Sequence, residues 1–181
     1  MLAIIIPCYG HTPYIEEWGA ATLNKGIEHA NANLIMILND DDYLMHDCVE
    51  VAYSLLAKYH EAVLLGGHAL HFSENTLRGI PKLITSISPI DQIEIDLQTP
   101  NDSRKYREYN DISMTHSGST FYKFAWKAAG GYYSDKTKRL SPFSDRDFQL
   151  RINALFSIIL SNKTPLSCWR NDSSVDGGLN S

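Results

Sequence analysis

Cysteine is scarce in this sequence: Cys8, Cys48 and Cys168 are the only three among 181 residues, far apart and in no Cys-x-x-Cys spacing. An odd, scattered set excludes a disulfide-built scaffold and fits free thiols in a reducing cytoplasm. Also missing is any apolar run near the ~18 residues needed to cross a bilayer. The opening MLAIIIPCYG lacks a positive n-region and reaches Pro-Cys-Tyr-Gly too early for a signal peptide. Together these absences predict a cytoplasmic protein and leave room for peripheral contact at the inner face of a membrane. The third shortage is of positive charge. Sixteen basic against 21 acidic side chains give a net charge of −5, which argues against a nucleic-acid binder with a basic stripe. It does not exclude a nucleotide held through a metal, since a bridging cation lets carboxylates and phosphates sit together.

What is present is the composition of a globular domain, 44% hydrophobic and 20% charged. At this length folding hides on the order of 70% of the unfolded chain's surface, enough for a core without bridges or metals. Leu2 to Ile6 is a continuous aliphatic run stopped by Pro7, the pattern of a strand covered on both faces. Leu23, Ile27 and Ala30 give one apolar helical face over residues 19–32, and Leu34 to Leu38 is a second buried strand ending in Asn39-Asp40-Asp41-Asp42. His46 to His60 reads as a helix and Ala62 to Phe72 as a third strand, loosened by Gly66-Gly67. Strand, helix, strand, helix, strand predicts an α/β fold with a parallel core.

Residues 73–110 break the pattern, with Pro81, Pro89 and Pro100 and a charged stretch from Asp102 to Asp111; a segment of this length is usually functional or mobile. Beyond it the spacing predicts a strand over 112–122, a short helix over 124–129 closed by Gly130-Gly131, and a helix capped by Ser144 that carries Phe148, Ile152 and Leu155. Short strands at 157–160 and 166–169 precede a polar tail, 171–181, expected to be disordered. The reading is one domain over 1–170, with no internal repeat.

Three aspartates at the carboxyl end of a buried parallel strand stand where open α/β sheets bind ligands, and they repel one another unless a cation neutralises them. Hard oxygen ligands suit Mg²⁺ or Mn²⁺. The alternative is a solvated acidic turn that caps the next helix. In Phe143-Ser-Asp-Arg-Asp-Phe-Gln-Leu-Arg151, Asp145 falls in the first turn of a helix, where the dipole favours its ionised form and a carboxylate can still accept a proton from an attacking hydroxyl. The alternative there is plain capping with an Asp147–Arg151 pair at i, i+4. His68 and His71, three apart in one strand, would face opposite sides. His116 reads more simply as a packed or solvent-facing residue, and Trp126, Tyr132 and Tyr133 as core aromatics rather than sugar-stacking rings.

AIIIPCYG, TLNKGIEHANANLIMILNDDDYL, HSGSTFYKFAWKAAGGYYSD and SDRDFQLRI follow one another in the order found in family 2 glycosyltransferases with the GT-A fold, which this chain resembles over residues 1–170. The resemblance implies a GT-A-like, mostly parallel sheet flanked by helices. It also implies a nucleotide-sugar donor, UDP- or GDP-linked, a glycan or lipid-linked acceptor, and Mn²⁺ or Mg²⁺ on the donor diphosphate. Asp41 and Asp42 become the metal ligands, and Asp145 the general base of an inverting transfer. Pro7, Tyr9, Asn24, Gly26, Asp40, Gly131, Tyr132 and Arg151 become the substrate-contacting positions. Asn39 departs from the usual Asp, keeping an oxygen but losing the charge, and Ser144 replaces the customary Glu.

Between Glu17 and Trp18 the chain also lacks the strand–helix–strand stretch that in the family carries Asp-Asp-Gly-Ser and holds the base and ribose. Trp169-Arg170-Asn171-Asp172 stands where Tyr-Arg-x-His is usual. Two readings follow: an active transferase with a shortened donor pocket, or a degenerate member that binds a sugar or a partner protein. A metal-dependent phosphotransfer enzyme is a third, which leaves Asp145 and Gly-Gly-Tyr without a role.

Overall fold

The computed structural model describes residues 1–7, 19–72, 89–100, 114–134 and 144–170. Its strands are β1 (Leu2–Ile5), β2 (Leu34–Ile37), β3 (Tyr43–Leu44), β4 (Ala62–Gly67), β5 (Ala69–Phe72), β6 (Ile95–Gln98), β7 (Thr120–Tyr122), β8 (Ser157–Ser161) and β9 (Ser167–Arg170). The helices are α1 (Gly19–His29), α2 (Cys48–Lys58), α3 (Lys123–Ala128) and α4 (Ser144–Leu155), with a 3-10 turn at Ile90–Gln92. Six strands form one sheet in the order β1-β2-β7-β4-β8-β6, and β3-β9-β5 form a smaller one.

The uninterrupted apolar run of β2 follows from its place in the large sheet. Successive side chains of a strand point to opposite faces, and here both faces are covered. Leu34 and Met36 enter a core with Val51 and Leu55 of α2 and with Leu65 and Ile159. Ile35 and Ile37 enter a second core with Leu23 and Ile27 of α1, Phe148 and Ile152 of α4, and Phe121. Each such side chain contributes roughly 1.5–3 kcal/mol of burial. Phe121 and Phe148 meet edge to face with ring centroids 5.2 Å apart. The C-terminus of α1 is held by Lys123, whose ammonium donates to the carbonyls of Glu28 (2.9 Å) and Ala30 (2.8 Å).

Several expectations are corrected. The sheet is mixed: β1–β2 and β4–β8 pair in parallel, whereas β2–β7, β7–β4 and β8–β6 are antiparallel. A fully buried strand reads the same in either direction, so periodicity could not reveal this. Among the described residues β1 lies at the edge of the sheet, and its Ile4 is 42% exposed rather than covered on both faces. The run from Ala62 to Phe72 divides at His68 into β4 of the large sheet and β5 of the small one. β6 went unread because four half-buried residues carry little periodicity. The strand expected over 112–122 is regular only from Thr120, after a turn in which Ser119 N–H donates to His116 O at 3.1 Å. Ser144 is itself within α4 rather than a cap ahead of it, a one-residue difference typical of helix ends.

Cys48 and Cys168 are buried free thiols, and burial pushes the Cys48 thiol up to about 12. No helix among the described residues is long and apolar enough to cross a membrane. The proposed break at 17–18 and the tail 171–181 lie outside the described residues.

Candidate functional site

The large sheet delivers the acidic segment to one end of the molecule. After β2, Leu38 N–H bonds to Ile5 O, and the chain turns at once, with Asp42 N–H donating to Asn39 O at 3.2 Å. The turn leaves Asp40 exposed and Asp41 half-buried, and folds Asp42 inward to 7% exposure.

A buried carboxylate needs donors, and Asp42 has three. Oδ2 accepts from Ser117 Oγ–H at 2.5 Å and from Asn39 Nδ2–H at 3.3 Å, while Oδ1 accepts from Arg170 N–H at 3.1 Å. Burial nevertheless raises the Asp42 pKa, opposed by the bonds from Ser117, Arg170 N–H and Asn39 and assisted by the neighbouring Asp41 charge.

Ser117 comes from the segment before β7, which is docked on the end of β4. Thr115 N–H and Oγ1–H both donate to Gly67 O, at 3.0 and 3.1 Å. Met114 lies directly on Gly66, where a Cβ would fall 2.2 Å from its Cγ and Sδ. The glycine pair that read as a loosened strand therefore makes room for this segment. Ser117 Oγ also accepts from Asn39 N–H at 3.0 Å, so one hydroxyl joins the aspartate turn to the β7 segment.

His116 connects this corner to the other half of the cleft. Asn39 gives its amide N–H to Asp42, so its Oδ1 faces His116 Nδ1 at 3.1 Å and that nitrogen carries the proton. Nε2 is then the acceptor for Tyr132 O–H at 3.1 Å. The neutral ring this requires agrees with its pKa, lowered by burial against the opposing pull of the Asp145 charge. Tyr132 is buried against Phe148 with centroids 4.1 Å apart. Its own pKa is raised by burial and by Asp145, and lowered by Arg151.

Asp42, Met114, Thr115, His116, Ser117, Asp145 and Trp169 line one cleft of about 230 Å³. The structure thus brings Asp42, from the end of β2, and Asp145, from the first turn of α4, to a single cavity.

The remaining expected positions do different work. Asn24 bridges α1 to the Gly-Gly-Tyr loop, its Nδ2–H donating to Tyr132 O at 2.8 Å and its Oδ1 accepting from Tyr132 N–H at 2.8 Å and Trp126 Nε1–H at 3.1 Å. Gly131 adopts φ +74°, and a Cβ there would sit 2.8 Å from Asn24 Oδ1. Arg151 holds the same loop through Ala129 O and Gly131 O while pairing with Asp147 Oδ2 at 2.7 Å. Gly26 permits close approach of α1 to β1, since a Cβ would meet Ile5 Cγ2 at 3.0 Å. Pro7 is buried just past β1, and Tyr9 lies outside the described residues. Ser117 and Trp169 were not singled out from the sequence, and His116 was set aside. The signal for His116 and Ser117 is the compact His-Ser-Gly-Ser before an apolar stretch, and that for Trp169 is its place where Tyr-Arg-x-His is usual.

Among the described residues no three His, Cys, Asp or Glu side chains converge closely enough to hold a metal by themselves. That donor set fits a hard cation only in the manner of Mg²⁺, which takes one or two carboxylates and completes its shell with water and substrate phosphate oxygens.

The glycosyl transferase family 2 model matches residues 8–127, which include the aspartate turn and the Ser117 segment. The chain belongs to this family. The match ends before Gly131 and Asp145, so their family roles rest on the order of the motifs. Comparison with curated protein sequences returned no match. Among solved structures, S. aureus TarS 1–349 in complex with UDP-GlcNAc aligns over 86% of this chain and 39% of its own, with TM-score 0.54 and 12% identity. A second structure of S. aureus TarS 1–349 aligns over 83% and 40%, with TM-score 0.52 and 15% identity. The chain spans about two fifths of those proteins' length. At these identities the likeness is one of fold: a family 2 glycosyltransferase domain of GT-A type.

Proposed function

We propose that this domain transfers a sugar from a nucleoside-diphosphate sugar to a hydroxyl of a glycan or lipid-linked acceptor, with inversion at the anomeric carbon. The observation that supports it is the single cleft shared by Asp42 and Asp145. In the reaction the acceptor oxygen bonds to the anomeric carbon, the bond to the diphosphate breaks, and its electron pair leaves with the diphosphate. Asp145 takes the hydroxyl proton as that oxygen attacks, a contribution of typically ~10²- to 10⁴-fold. Asp41 and Asp42 would hold Mn²⁺ or Mg²⁺, and the cation would supply charge neutralisation on the leaving diphosphate. His116 holds Asn39, and through it Asp42, in register with the Tyr132 loop.

A second reading, a family member that binds ligand without transfer, is favoured by one specific observation. Asp42 already accepts three internal hydrogen bonds, which leaves it little free capacity for a cation. Calorimetric titration of UDP- and GDP-sugars with Mn²⁺, with Asp41→Ala as control, separates the two. Transfer predicts metal-dependent binding that Asp41→Ala removes; no metal-dependent nucleotide binding by the native domain ends the transferase reading. Where binding occurs, Asp145→Asn lowers transfer at least 10²-fold with donor affinity largely kept. Equal loss of both would show that Asp145 is not the base.

A further inference from the structure

Two of the aromatics read from the sequence as core residues rather than sugar-stacking rings are committed to packing and hydrogen bonding away from the cleft. Tyr132 is 2% exposed and packed on Phe148, and Trp126 spends its indole N–H on Asn24. The large ring that the cleft does present is Trp169, which is 37% exposed and lines the cavity with Asp42 and Asp145.

Its placement is fixed from two directions. Trp169 sits on β9, in register with His71 of parallel β5, and the His71 ring meets it edge to face with centroids 4.9 Å apart at 75°. The next residue's backbone N–H, that of Arg170, donates to Asp42 Oδ1 at 3.1 Å. The backbone unit that follows the indole-bearing residue is therefore hydrogen-bonded to the Asp42 carboxylate, which ties β9 to the aspartate turn.

A braced aromatic surface open to a cleft with carboxylates at two other points suits one class of ligand. A pyranose ring has an apolar C–H face that can cover an indole and equatorial hydroxyls that can donate to a carboxylate such as that of Asp145, so both parts of such a wall are satisfied at once. Size agrees as well. The open cleft's 230 Å³ is room enough for a single sugar ring.

We propose that Trp169 is the stacking platform for a pyranose ring seated between Asp42 and Asp145. The platform's place in a transfer rests on the function proposed above, but its binding can be measured separately. The ring belongs either to the donor or to the acceptor, and the arms of the experiment distinguish them.

Native domain, Trp169→Ala and Trp169→Phe are titrated with UDP plus Mn²⁺, UDP-GlcNAc plus Mn²⁺, and methyl β-glucopyranoside, by calorimetry and saturation-transfer NMR. Thermal melts confirm folding, and Trp169→Phe keeps an aromatic ring should the alanine variant fail to fold. Expected is a sugar-dependent affinity that falls about tenfold in Trp169→Ala, is largely retained in Trp169→Phe, and is accompanied by unchanged UDP binding. Loss confined to the extra affinity of UDP-GlcNAc over UDP assigns the donor ring. Loss confined to the free glucoside assigns the acceptor ring.

Saccharide affinity unchanged by Trp169→Ala overturns the platform, as does a native domain that binds UDP but gains nothing from either sugar. If the glucoside binds through Trp169 while neither nucleotide binds, the platform stands and the transferase reading falls. If the native domain binds none of the three probes, both fall.

Discussion

Asp42 is the side chain on which the cleft's chemistry turns, and it is held in a compromise. Its three donors keep a carboxylate at 7% exposure, yet burial outweighs them and its pKa in the folded protein is raised. Since the folded state binds this proton more tightly than the unfolded one, ionised Asp42 subtracts stability at neutral pH. The subtraction is relieved as the pH falls through the raised pKa towards the ordinary value near ~3.9. The difference in melting temperature between the native domain and Asp42→Ala should therefore move in favour of the native domain between pH 7 and about 4, in metal-free buffer. A shift in the opposite direction would mean that the three hydrogen bonds, not burial, dominate. The residue scale is also where sequence reading was least complete. An Asp triplet announces a charged turn, but which carboxylate folds inward depends on Ser117, His116 and Arg170, all distant in the chain.

At the scale of elements, the loop between α3 and α4 shows how a motif can be legible while its role is not. Gly130-Gly131 reads as the close of a helix, and the two glycines do adopt φ +79° and +74°. Only the packing reveals that Asn24, Trp126 and Arg151 converge on this loop. The two glycines make a matched pair for a test. At Gly130 a Cβ meets nothing nearer than 4.0 Å, so Gly130→Ala carries only the backbone cost, roughly 1–2 kcal/mol. Gly131→Ala adds the 2.8 Å clash with Asn24 Oδ1 and should cost about 1–3 kcal/mol more, a further fall in melting temperature of roughly 3–10 °C. Equal effects in thermal melts would show that Asn24 yields easily and is not a fixed part of the loop. The same scale explains the β4–β5 division. Gly66 and Gly67 looked like a weakness within one strand, whereas they are where the chain leaves one sheet for the other and where Met114 and Leu166 press in.

Across the whole molecule, the most consequential feature is the sheet's first edge. β1 pairs only with β2 among the described residues, and Ile4 is 42% and Ile6 49% exposed. An apolar edge strand with no charge in Leu2–Ile6 is a template for pairing with other chains. Ile4→Lys should accordingly lower light scattering during refolding at micromolar concentration while changing the melting temperature by less than about 2 °C. Scattering that is unchanged would place the association-prone surface elsewhere, for example at exposed Phe124 and Leu155.

The layers, the family and the acidic turn were legible along the chain. Those depend on local pattern: an apolar run long enough to be buried on both faces, helical spacing between runs, and motif order along the chain. Strand direction, the split of Ala62–Phe72, the edge position of β1 among the described strands and the gathering of Asp42, His116, Asp145 and Trp169 around one cleft emerge only on packing. Each is a contact between residues far apart in the chain, set by which backbone groups and side chains satisfy one another once packed. A hydroxyl at Ser117 and an indole at Trp169 have no meaning for function until the fold brings them to the same carboxylate.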